Sequence, residues 1–186
     1  MPKVVDPAQR RERIADAVFA LIHDGGIEAA SLRNVAARAG LNIGSVRHYV
    51  DGHEGMLIDA VRIMAARVEA RIRARTAAWD EEGSELELAI DLLEELLPLD
   101  EGRRLEVATW LAFSEQSRIE PGLREEAKVL LGGSRDLARA LLTTSGAPEL
   151  ELGVESLASL VDGLCVALLH DPTRLARDQV RQLLRA

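Results

Sequence analysis

Ala36, Gly40 and Val46 stand four and six positions apart within Ser31–Val50 and frame the polar residues around them. A small residue at 36 lets two helices approach closely, a glycine at 40 permits a sharp turn, and a valine at 46 anchors the second helix from beneath. Such a frame describes a helix-turn-helix. Its second helix enters the major groove of DNA, and here it would expose Asn42, Ile43, Gly44, Ser45, Arg47 and His48. Arg47 is the candidate base reader, because a guanidinium can bond a guanine edge at two points. Ser31 and Asn42, at helix starts, would bring backbone amides and a short polar side chain to the sugar-phosphate track. Arg10, Arg11, Arg13, Arg33, Tyr49 and His53 are the further candidates for phosphate contact.

Other chemistry finds little support. His48 and His53 lie five apart across a helix break, and neither His23 nor His170 has a neighbouring ligand pattern, so no metal is expected. No glycine-rich phosphate loop follows a strand, and no serine or cysteine sits in a nucleophile motif. Cys165 falls on an apolar helix and reads as a small core residue. The expectation is a protein without cofactor or catalytic activity.

The net charge of −8 argues against a DNA partner until it is divided along the chain. Residues 1–75 hold 12 Lys and Arg against 9 Asp and Glu, whereas residues 76–186 hold 11 against 22. Only the first part would welcome phosphates. With one cysteine no internal disulfide is possible, and a reducing, cytoplasmic setting is the expectation. No secretory signal is evident, and no apolar run is expected to approach a membrane span.

The elements that must position these residues are helices, with hydrophobic periodicity near 3.6 throughout. Asp6-Pro7 starts a first helix that Gly25-Gly26 stops. Ser31 caps a second through Ala39, and Asn42 caps a third to about Tyr49. A long helix runs from Glu54 to about Trp79, about 39 Å at 1.5 Å per residue. Its Arg62, Arg67, Arg71, Arg73 and Arg75 read as a solvated face. Further amphipathic helices are expected near 84–97, 102–118, 122–145, 151–170 and 173–185, with a break at Gly146–Pro148. The fold class is therefore all-α with about nine helices: residues 1–53 as the helix-turn-helix domain and 54–186 as a helical second domain.

The stretch SLRNVAARAGLNIGSVRHYVDGHEGML, Ser31–Leu57, resembles the amino-terminal signature of the TetR family of bacterial regulators. The likeness covers about residues 8–65, and it includes the Gly44-Ser45 pair, His48-Tyr49 and Glu54. Members usually carry an aromatic where Arg47 stands and a lysine where His53 stands, which implies a different operator and puts the phosphate contact of that lysine in question. Trp110–Phe113 and Asp162–Leu164 resemble the betaine-regulator subgroup. The resemblance implies a homodimer on a palindromic operator, usually as a repressor, with a small-molecule effector bound in the second domain. Candidates to line that cavity are Met64, Val68, Leu93, Leu97, Trp110, Phe113, Ser114, Ser117 and Leu130. Trp79, Trp110 and Phe113 are the candidate aromatic walls of that cavity, and Glu115 is the candidate counter-charge for a quaternary ammonium held on such a face. Candidates for the dimer seam are two uncharged stripes: Leu123, Ala127, Leu130, Ser134, Leu137 and Leu141, then Leu157, Leu160, Val161, Leu164 and Leu168. The same stripes also suit an internal core, and both readings stay open. So does a rival in which the helix-turn-helix docks a protein and touches no DNA.

Overall fold

A computed structural model of the chain describes residues 6–80, 83–145 and 149–185. Among them are nine α-helices and no strand: α1 (Pro7–Gly25), α2 (Leu32–Arg38), α3 (Ile43–Tyr49), α4 (Gly52–Ala78), α5 (Glu85–Glu94), α6 (Glu101–Ile119), α7 (Arg124–Ser145), α8 (Leu150–His170) and α9 (Arg177–Arg185). The all-α expectation holds. The predicted break at Gly146–Pro148 lies outside the described residues. The chain forms two compact units, residues 1–66 with 108–127 and residues 67–107 with 128–186, so that α4, α6 and α7 each supply both.

In the first unit, the Asp6 carboxylate accepts the Ala8 N–H at 2.9 Å and starts α1, with Pro7 already at helical φ. Ile14, Val18, Phe19 and Ile22 of α1, Val35 and Ala36 of α2, and Val46 of α3 are buried with Met56, Leu57 and Val61 of α4. Further along the chain, Phe113 and Leu123 are fully enclosed. Arg62 places Nε and Nη2 on Glu126 Oε2 at 2.9 and 2.7 Å, joining α4 to the start of α7. Gly122 faces the Glu54 carboxylate so closely that no side chain fits beside it as placed.

The second unit buries Ile90, Leu93 and Leu97 with Val154, Ala158, Val161, Cys165 and Leu168 of α8 and Val180 and Leu184 of α9. Three carboxylates are buried here too: Glu94, Glu95 and Glu106. A carboxylate without a partner in such a place costs several kcal/mol, by order of magnitude about 3–5 when its partner is removed. Each is met by arginine. Arg177 reaches Glu94 at 2.7 Å; Arg181 reaches Glu94 at 2.8 Å, Asp91 at 2.7 Å and Glu87 at 2.8 Å. Arg71 bonds Glu95 at 3.0 Å and Glu106 at 2.6 Å, and Arg75 also bonds Glu95. Burial pushes the Glu94 carboxyl up, but the bonds from Arg177 and Arg181 outweigh it and hold the group below the ordinary range.

Four sequence expectations change. The α4 arginines are a solvated face only in part: Arg62, Arg73 and Arg75 are exposed, though Arg62 and Arg75 also hold carboxylates, whereas Arg71 is half-buried on Glu95 and Glu106. The final helix begins at Arg177 rather than 173, because Asp171 folds back on Thr173 N and Oγ1 at 3.0 and 2.7 Å and Gln179 Oε1 accepts the Ala176 N–H at 2.9 Å. α8 is long and apolar enough to cross a membrane, with mean hydropathy 1.8 over 18 residues, of which 33% are buried. It also carries Glu155 and Asp162, paired with Arg135 at 3.0 and 3.8 Å. Finally, Leu123, Ala127, Val161, Leu164 and Leu168 lie inside the protomer and are removed from the dimer seam. The helix is apolar on more than one face, so an uncharged stripe does not reveal which face points inward.

Candidate nucleic-acid interface

The helix-turn-helix is assembled by local bonds. Ser31 Oγ accepts the Asn34 N–H at 3.2 Å and opens α2. At its far end Gly40 takes φ +63°, while Leu41 N–H reaches Ala36 O at 2.8 Å and Gly40 N–H reaches Ala37 O at 3.1 Å. These paired bonds close a helix with its last residue left-handed, where a glycine pays no side-chain penalty. Arg13 of α1 donates from Nη2 to Ala39 O at 2.5 Å, adding a second clamp at the turn. Asn42 Oδ1 then accepts the Ser45 N–H at 2.7 Å and starts α3, with only four residues between the two helices.

These anchors decide what α3 shows. Val46 is wholly buried and Ser45 and Tyr49 are half-buried, whereas Asn42, Ile43, Gly44, Arg47 and His48 are exposed. His48 and Tyr49 meet edge to face with ring centroids 5.3 Å apart. Arg33 and His53 are exposed and Arg10 is half-buried. Among the described residues the side chains of Arg10, Arg33 and Arg47 make no hydrogen bond or ion pair, so their guanidinium groups are unspent. One expectation is corrected, since Arg13 is committed to Ala39 O; Ser31 and Asn42 accept cap bonds on their side-chain oxygens, which leaves the Ser31 hydroxyl and the Asn42 amide N–H groups as donors.

The expected cavity residues fall in both units. Met64, Trp110, Phe113, Ser114 and Ser117 belong to the first, and Val68, Leu93, Leu97 and Leu130 to the second. Met64, Leu93, Leu97, Phe113 and Ser117 are buried, and Val68, Trp110, Ser114 and Leu130 are half-buried. The hydroxyls of Ser114 and Ser117 each donate at 2.7 Å to a carbonyl of their own helix, those of Trp110 and Ser114. Glu115 is exposed and bound to Arg118 at 2.9 Å, which removes it as a counter-charge. In the second unit an open cleft of about 380 Å³ is lined by Arg75, Trp79, Glu87, Leu88 and Asp91 among others; of the residues expected around a cavity it includes Trp79 alone. Of the remaining seam residues, Leu130, Ser134, Leu137, Leu141, Leu157 and Leu160 are half-buried.

Sequence reading missed the second unit's buried carboxylates. Glu94-Glu95 looks like the wet side of an amphipathic helix, and its partners Arg177 and Arg181 lie 83 and 87 positions away.

A terminal helix-turn-helix whose recognition helix stands clear of its own core, followed by a wholly helical remainder, is the architecture of a DNA-binding regulator. Residues 86–186 match the family of BetI-type transcriptional repressors, C-terminal domain. The HTH-type transcriptional regulator PksA of Bacillus subtilis strain 168 is 30% identical over 189 residues, spanning 99% of this chain and 90% of that protein. A transcriptional regulator from Rhodococcus sp. Rha1 superposes with a TM-score of 0.81 at 30% identity, over 94% of this chain and 91% of that one. The multidrug binding protein EbrR in complex with imidazole is 28% identical with a TM-score of 0.64, over 94% and 92% of the two chains. The chain belongs to the TetR family of transcriptional regulators and carries a BetI-type C-terminal domain.

Proposed function

We propose that this chain is a cytoplasmic, homodimeric repressor that grips a palindromic operator with one α3 per copy and releases it when a small molecule binds. The observation that carries the reading is the state of α3: Val46 is wholly enclosed beneath it, while Arg47 and His48 face outward and Arg47 is unbonded. In the dimer the two recognition helices sit about 34–36 Å apart, one turn of duplex. The first 53 residues act as the reader and the remainder as the regulatory and pairing body. No catalytic step is required of either.

The pairing is supported by α8, in whose most apolar 18-residue window only 33% of the residues are buried within the protomer. A second copy seated on α7 and α8 covers Leu137, Leu141, Leu157 and Leu160. The effector is supported by the likeness to a multidrug binding protein. An effector that favours the non-binding state by about 1–3 kcal/mol lowers operator affinity roughly 5–150-fold.

The test is a titration of the full-length chain on duplex DNA across a salt series. Affinity is expected to fall steeply as salt rises, because phosphate contacts release counterions. Failure to retain any duplex at low salt refutes the reading and favours a helix-turn-helix that docks protein.

A further inference from the structure

We infer that Ile43 is a specificity-determining residue that reads the 5-methyl group of a thymine, and that this thymine lies within about two base pairs of the guanine bound by Arg47. The inference deepens the DNA-binding reading and rests on it. Ile43 is a large apolar residue left 41% exposed at the first position of α3. Its surroundings leave it bare. Gly44 has no side chain, and a Cβ there would stand 3.3 Å from Asn42 Oδ1. The Asn42 carboxamide oxygen is held at 2.7 Å by the Ser45 N–H, and Val46 points into the core.

One outward face of α3 therefore carries an apolar group followed, four residues on, by a free guanidinium. Residues four apart share a helix face and lie about 6 Å apart along its axis. That distance is roughly two steps of a duplex with a rise of about 3.4 Å. In the major groove a guanidinium matches the O6 and N7 of guanine, and the one apolar group that a base presents there is the thymine methyl. An isoleucine side chain offers that groove no hydrogen bond, so its contribution to sequence choice is the burial of that methyl. An exposed isoleucine against a cytosine or guanine edge covers polar atoms without replacing their bonds.

The experiment selects bound duplexes from a randomised pool with the full-length chain, then replaces thymine by deoxyuridine in the selected site, which removes the methyl and nothing else. The expected half-site holds a thymine within two base pairs of a guanine whose preference is lost in Arg47→Ala. Uracil at that position is expected to weaken the wild-type protein about fourfold per half-site and about fifteenfold when both halves are changed, the fold-change equivalent to one buried methyl-sized group. In Ile43→Ala, checked by circular dichroism for an unchanged helix content, thymine and uracil duplexes are expected to bind alike.

Equal binding of thymine and uracil duplexes by the wild type overturns the inference and leaves DNA binding intact. A half-site without such a thymine, or an undiminished uracil penalty in Ile43→Ala, also overturns it. Recovery of no duplex from the pool overturns the DNA-binding reading beneath it.

Discussion

Replacing Arg181 by methionine tests whether the carboxylates under α9 are held as described. Its guanidinium bonds Asp91 at 2.7 Å, Glu94 at 2.8 Å and Glu87 at 2.8 Å, and its side chain is 18% exposed. Glu94 is only 1% exposed. Removing one partner of a buried pair costs about 3–5 kcal/mol; because Arg177 stays on Glu94, we expect about 2–3 kcal/mol. For a chain of this size that lowers the melting temperature by about 4–12 °C. Arg73→Met is the control, since Arg73 and Glu69 are 69% and 67% exposed and pair within one helix, where such contacts contribute below about 0.5 kcal/mol. Urea denaturation at fixed protein concentration measures both. Adding Glu94→Leu to Arg181→Met is expected to recover part of the loss, because the orphaned charge goes with it. Acid gives a second readout. The native Glu94 carboxyl titrates below its unfolded value, so its stabilisation is full above the ordinary carboxylate range and is lost as pH falls through the lowered native value. In Arg181→Met that acid loss is expected to shrink. If Arg181→Met costs no more than Arg73→Met, the network contributes nothing and the reasoning fails.

Arg47→Ala is expected to cost about 1–3 kcal/mol on the operator and relax preference at one base pair, whereas His53→Ala weakens all duplexes alike. Titrations on operator and scrambled DNA separate the two, and equal losses for Arg47→Ala on both would remove it from base reading. Gly40→Ala places a side chain at φ +63° and is expected to destabilise the chain by about 1–2 kcal/mol, read as a lowered urea midpoint. An unchanged midpoint would contradict the turn geometry. Burial pushes the Cys165 thiol up to about 12, so it is expected to resist a thiol reagent at pH 8 until the chain unfolds. Rapid labelling of the native protein would place it elsewhere.

The amino-terminal module was legible because its instructions are local. Ser31 and Asn42 cap within three residues of themselves, and Gly40 ends α2 through bonds spanning five residues or fewer. The start and end of α2 and α3 could therefore be read to within a residue. The second unit was harder for the opposite reason. The partners of Glu94 are set by tertiary packing across more than eighty positions, and no periodicity encodes which distant arginine arrives. On α8 both the inward stripe, Val154, Ala158, Val161, Cys165 and Leu168, and its flanks are apolar, so composition gave no direction to the face. Within the candidate interface, spacing named the outward residues of α3 but not that Arg13 would be used on Ala39 O.

The placement of α9 bears on how the polypeptide is made. Two of the cations that neutralise Glu94 are Arg177 and Arg181, within the last ten positions of a chain of 186. During synthesis α1, α2 and α3 can form first, while the second unit waits with Glu94 uncompensated until Arg177 and Arg181, more than eighty positions later, have been translated. A message cut short before codon 177 would thus yield a complete DNA-reading head on a body that cannot settle. A product of that kind is a target for cellular quality control, because its second unit is left with a buried charge that nothing neutralises.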